Sequence, residues 1–167
     1  GGKLSFDFDY LDYSDDNPTD YEELIYNENG NLTNQRAFIS RKKTPVEFQV
    51  AKLDYSKKIN EKLNIETGLK CTVSNFTNDV GVANLVNETW EYEPLFTNIF
   101  NLDETISAAY FSFDFKANSK TNIKAGARFE YLDSHLGSAT EADIVVQNYG
   151  RFFPSVFVSH DLNDDSR

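Results

Sequence analysis

An all-β chain, folded as an antiparallel up-and-down meander of about six strands, is predicted by three observations. Two segments, Asn64-Ile65-Glu66-Thr67-Gly68-Leu69-Lys70 and Asn122-Ile123-Lys124-Ala125-Gly126-Ala127-Arg128, alternate polar and apolar residues around a glycine. That period of two belongs to a strand with one oily and one wet face. The chain of 167 residues holds 14 Phe and 9 Tyr, with Asn and Asp recurring at turn positions, and no stretch keeps a helical period. The connections run long, short, long, short, long, which gathers the long loops at one end of the sheet and the tight turns at the other.

The first strand, residues 3–13, sets Leu4, Phe6, Phe8 and Tyr10 against Ser5, Asp7 and Asp9. Residues 14–44 read as a polar connection with turn signals at Asp16-Asn17-Pro18 and Asn29-Gly30-Asn31, holding at most a short hairpin around 24–26 and 38–40. A second strand, 46–55, has a blurred alternation that leaves its faces unassigned. After the short link 56–61 comes the strand 62–74, with Leu63, Ile65, Leu69, Cys71 and Val73 opposite Asn64, Glu66, Lys70 and Thr72. A long connection with Trp90, Tyr92, Phe96 and Phe100 leads to the strand 104–117, where Ala109, Phe111, Phe113 and Phe115 face away from Tyr110, Ser112 and Asp114. The turn at 118–120 precedes the strand 120–132, a loop at 134–148 and a last strand at 149–162. The whole chain, 1–167, reads as a single partial domain.

Composition excludes several functions. A net charge of −11, with only 16 Lys and Arg, argues against nucleic acid, which needs a basic stripe. Acidity suits cations or neutral sugars as well as plain solubility. The single cysteine, Cys71, permits neither an internal disulfide framework nor a cysteine-based zinc site, and on an apolar strand face it reads as a small hydrophobe. No apolar run is long enough for a membrane helix. That says nothing of a membrane barrel, whose strands of roughly ten residues carry a weaker signal. The lack of any Met or leader makes the chain read as a piece of something longer.

The segments "AKLDYSKKINEKLNIETGLK", "ISAAYFSFDFKANSKTNIKAGARFEYLDS" and "RFFPSVFVSHDLN" together resemble the barrel of TonB-dependent receptor-like proteins of Gram-negative outer membranes. The resemblance rests on Leu53-Asp54-Tyr55, Gly68-Leu69-Lys70, Ala108-Ala109-Tyr110, Gly126 to Tyr131 and Phe153-Pro154-Ser155, and covers roughly 45–162. It implies that the strands are part of a transmembrane β-barrel and that the parent imports a scarce nutrient. A plug and a TonB-type energy transducer would drive that import, and neither the plug nor the transducer-contacting segment lies in this sequence. Partners would then be outer-membrane lipid, an unknown nutrient ligand and, through the plug, the transducer. Ile65, Leu69, Phe111, Phe113, Ala125, Ala127, Phe129, Val156 and Val158 would face lipid. Glu66, Lys70, Asp114, Lys124, Arg128 and Glu130 would face the lumen and pair across neighbouring strands. By itself this piece would transport nothing, and its apolar face and open edges would drive self-association.

Trp90, Tyr92 and Phe96 are candidate ligand contacts, against the alternative of simple loop packing. The acidic cluster from Asp7 to Glu23 lacks the spacing of a calcium loop and reads as a solvated rim. His135, near Asp133, and His160 have no catalytic setting. Hydrolase and phosphate-loop motifs are absent, so neither enzymatic activity nor a cofactor is expected. Two soluble alternatives remain: an all-β module holding a carbohydrate or small ligand, which needs a second sheet over the apolar face, and a closed eight-stranded barrel.

Overall fold

The computed structural model describes residues 1–162. It is one antiparallel sheet in which β1 (Gly2–Tyr26), β2 (Leu32–Lys58), β3 (Leu63–Val86), β5 (Asn98–Lys116), β6 (Thr121–Ser138) and β7 (Val145–His160) follow one another in space as in sequence. A short β4 (Thr89–Tyr92) folds back on the end of β3. The sheet is open, with β1 and β7 at its edges. No second sheet covers it among the described residues, which removes the support for a sandwich or a closed eight-stranded barrel.

The strands are far longer than the sequence suggests. The stretch 14–44 is not a loop: β1 and β2 run paired from Gly2↔Lys57 to Tyr26↔Leu32. Only residues 27–31 turn, with Asn27 Oδ1 accepting from the amides of Asn29 (3.1 Å) and Asn31 (2.9 Å), and Gly30 at φ 79°. The expected turn at Asp16-Asn17-Pro18 is instead strand. Pro18 lies on an edge strand, where a missing N–H can face away from the ladder. Pro45, on an inner strand, coincides with a break in β2–β3 pairing between Lys43↔Asp79 and Val46↔Phe76. The connection after 74 likewise continues β3 to Val86, and the two-residue turn Asn87-Glu88, both at positive φ (48° and 63°), returns as β4.

At the other end the chain turns tightly. Residues 59–62 and 117–120 each use an Asn side chain, Asn60 to the Lys62 amide (2.8 Å) and Asn118 to the Lys120 amide (2.9 Å). The asymmetry of the two ends is therefore one of hairpin length, since most of the long connections are strand.

Register fixes which residues share a face. One face carries Leu4 and Phe6 of β1, Leu53 and Tyr55 of β2, and Ile65 and Leu69 of β3. It continues through Phe111 and Phe113 of β5, Ala125, Ala127 and Phe129 of β6, and Phe152, Val156 and Val158 of β7. Most of these apolar side chains are exposed, Leu69 by 58% and Phe6 by 67%. The opposite face carries Asp7, Lys52, Asp54, Glu66, Lys70, Tyr110, Arg128, Glu130 and Arg151. Along β5 and β6 this polar face is the less exposed of the two, as on the hollow side of a curved sheet.

The apolar face spans residues 63 to 73 of β3 and the rows in register with them, with polar margins where Lys57 faces Ile65 and where Gln49, Thr105 and Asp133 share the row of Val73. At about 3.3 Å per residue that is ~33 Å along the strand, or about 25 Å of height once the strand tilts by ~40°. Beyond it the two faces exchange character. In the row through Asn75 the formerly apolar face shows Asp12, Glu47, Asn75, Asp103 and His135. In the next row the hollow face shows Tyr13, Val46, Phe76, Leu102, Leu136 and Val145, apolar or aromatic on all six strands.

Candidate functional site

The hollow face between the tight turns and that apolar row is the candidate site. Gly68 lies at its centre, opposite Asp54 on β2 and Tyr110 on β5. With no side chain at Gly68, the Tyr110 ring leans across β3 and its hydroxyl donates to Asp54 Oδ1. A Cβ at Gly68 would come 2.6 Å from Asp54 Oδ1 and would meet the Tyr110 hydroxyl directly. Lys52 Nζ holds the other carboxylate oxygen of Asp54 at 2.5 Å. The Arg128 guanidinium sits 5.8 Å from the Tyr110 ring centre, in cation–π range. Its Nε donates to Glu130 Oε1 at 2.5 Å. Lower on the face, Lys124 Nζ reaches Glu66 Oε2 at 3.8 Å, and the Ser112 hydroxyl lies 3.5 Å from the same oxygen.

The charged residues expected to share one face do so, but their pairing differs from expectation. Lys52–Asp54 and Arg128–Glu130 pair along a single strand at i, i+2, and Lys124–Glu66 reaches over β5. In register, adjacent strands set some like charges or small residues together, such as Lys70 opposite Lys52 and Glu130 opposite Ala108, and elsewhere set opposite charges together, as Asp114 with Lys124 and Glu130 with Arg151. Lys70 forms no ion pair among the described residues. These pairs are partly solvated, so each contributes about 0–1 kcal/mol. Their effect is to hold fixed charges of both signs on a water-facing wall.

Lys52, Asp54, Tyr110 and Arg151 were not among the expected site residues, although the sequence put Tyr110 on the polar face of its strand and Asp54 within the family resemblance. Arg151 is in register with Glu130, and its guanidinium stacks 4.7 Å from the Tyr149 ring centre. The available signal was the polar alternation Lys52, Asp54, Ser56, hidden because Val46, Phe48 and Val50 occupy the same face further along β2.

The loop aromatics lie elsewhere. Trp90 pairs with Leu85 and Tyr92 with Ala83 on the β3–β4 hairpin, and Phe96 belongs to a 3₁₀ turn, Pro94–Phe96, beside it. The Tyr92 ring covers Gly81, whose Cβ would sit 3.3 Å from it, and Ala83 is buried. All three aromatics are more than 40% exposed at the far tip of the hairpin, remote from the charged face. Phe100 lies within β5, paired with Ser138. The acidic cluster is strung along β1 opposite the basic residues of β2, with Asp16–Arg41 at 4.0 Å and Glu23–Arg36 at 3.9 Å. His135 sits between Asp133 (3.0 Å) and Asp143 (3.7 Å), and the His160 ring bonds the Thr121 hydroxyl at 2.8 Å.

The Tyr110–Asp54 bond gives a direct test. Removing the hydroxyl in Tyr110→Phe should lower stability by about 1.5–3 kcal/mol, the range for a hydrogen bond to a charged group. Gly68→Ala should cost about the same by displacing the ring, and the double variant no more than either alone. The check is the temperature at which the folded form loses its distinct electrophoretic mobility. Additive losses would show that Gly68 does not act through Tyr110.

No curated protein matches the sequence. One up-and-down antiparallel sheet, tight turns at one end, long hairpins at the other and a ~25 Å apolar band backed by charge are the properties of a membrane barrel wall. The outer membrane protein beta-barrel family matches residues 1–167, and the chain belongs to that family, whose place is the bacterial outer membrane.

Proposed function

We propose that this chain is a wall segment of a TonB-dependent, receptor-type nutrient importer, contributing lumenal surface and external hairpins and catalysing no reaction. The observation that carries the reading is the hollow face: fixed charges of both signs, held by Lys52, Asp54, Arg128 and Glu130, back an outward face without charge at the same height. A closed barrel built on such a wall has lipid outside and a polar, water-filled lumen inside. Glu66, Lys70, Lys124, Arg128 and Glu130 line that lumen, and Trp90, Tyr92 and Phe96 stand on an external hairpin where an incoming ligand first meets protein. The tested quantity is uptake: cells carrying the intact protein, supplied with a panel of sole nutrient sources, should grow on at least one source only when both this protein and the inner-membrane transducer are present. Growth that persists without the transducer would remove the TonB-dependent part of the reading.

The partner of the apolar face is lipid, and the same face predicts how the 167-residue chain behaves alone. In detergent-free buffer it should self-associate into dimers or larger particles that cover Phe6, Leu69 and Phe129 and pair the open edges of β1 and β7. Light scattering reads the mass directly. A strictly monomeric particle would contradict the prediction.

A further inference from the structure

The outward face is not uniformly studded with large side chains. Midway across the sheet, toward the long hairpins, its floor drops to Ala51 on β2, Cys71 on β3, and Ser107 and Ala109 on β5, with Leu53 and Leu69 closing its lower end. Aromatic walls rise on both sides, Phe6 from β1 and Phe129 with Tyr131 from β6. The result is a groove of about 460 Å³ with an almost wholly apolar lining. Below it the same face of β5 is filled by Phe111, Phe113 and Phe115, so the groove is local.

We propose that this groove seats an acyl chain of an outer-leaflet lipid as a held ligand rather than as passing solvent. The inference rests on the family's place in the outer membrane, which makes this face continuous with the bilayer. The groove lies within the apolar band, one to two rows from its polar upper edge at Asp133 and Gln49, and so at the depth of acyl chains. Lys52 and Lys70 border it but belong by register to the hollow face, and with only the Ser107 and Tyr131 hydroxyls among its polar groups the lining favours an apolar ligand over a headgroup. An empty depression in a hydrocarbon-facing wall leaves its lining without dispersion partners, and a flexible methylene chain can follow its contour where a rigid neighbouring surface cannot. Flat stretches of the band give a chain contact on one side, whereas this open groove adds flanking contacts from Phe6 on one side and from Phe129 and Tyr131 on the other.

The test is photocrosslinking of the intact protein in vesicles of phosphatidylethanolamine carrying a diazirine on one acyl chain, with insertion sites mapped by mass spectrometry. Insertion should concentrate several-fold on peptides containing Cys71, Ser107 and Phe129 relative to those containing Ile65 and Val156. Filling the floor with Ala109→Phe and Ser107→Leu should reduce it to the level of the rest of the band, while Ala125→Phe, equally large and on the same face, should leave it unchanged. Even labelling along the band, or enrichment that survives the filled floor, would overturn the held lipid while leaving the membrane placement intact. Absence of labelling anywhere on the apolar face would overturn both.

Discussion

Leu69→Arg should destabilise the membrane-inserted protein by about 2–4 kcal/mol, whereas Asn75→Arg, three pleats further along the same face of the same strand, should cost about 0–1 kcal/mol. Both residues point to the outward side of β3. Leu69 lies in the row of Phe6, Leu53, Ala109, Phe129 and Phe152, deep in the apolar band. Asn75 lies in the row of Asp12, Glu47, Asp103 and His135, where the outward face already carries charge. A guanidinium in the first row must leave water for hydrocarbon, while in the second it stays hydrated. Reversible denaturant unfolding from lipid vesicles reads both values. Equal costs for the two substitutions would mean that the band does not bound the bilayer.

A second large loss is expected at Gly126, for a different reason. A Cβ there would approach the carbonyl oxygen of Phe111 and the Cβ of Ser112 to 2.8 Å each. Neither can swing aside as a ring can, because both are fixed by the β5–β6 ladder in which Gly126 pairs with Ser112. Gly126→Val should therefore force the ladder apart and cost about 3 kcal/mol, at the upper end of what overpacking does. The expected signature is loss of the folded electrophoretic form at temperatures where wild type keeps it, with amide exchange accelerated on β5 and β6 before β1 and β2. Uniform acceleration across all strands would show that the strain is not confined to that ladder.

Much of the wall was legible in the sequence. Where β3, β5 and β6 cross the band, one face is largely apolar and the other largely polar over several pleats, so parity alone sorts Ile65, Leu69, Phe111 and Phe129 from Glu66, Lys124, Arg128 and Glu130. The order of the strands follows as well, because short turns such as 117–120 force neighbours in sequence to be neighbours in space. The pairing of charges was not legible. Whether Arg128 meets Glu130 or a residue on an adjacent strand depends on register and side-chain reach, and Gly68 opens a path from Tyr110 to Asp54 over an intervening strand that no local pattern announces.

The blurred reading of β2 and the missed halves of β1 and β3 share one cause. Sequence alternation records which face meets water, and it identified the membrane-crossing part because there the environment is constant: hydrocarbon on one side, water on the other. At and just above the upper margin of the band the outward face becomes wet and the hollow face turns apolar for a few rows, so Val46, Phe48 and Val50 stand on the same side of β2 as Lys52 and Asp54. A strand that crosses this boundary looks like a break in alternation, and the polar outward residues beyond it look like loop. By itself the sequence determined the strand class, the chain order and the two faces of the band. Only the tertiary structure decided how far each hairpin extends and which residues meet across the hollow face, because both depend on cross-strand pairing between residues far apart in the chain.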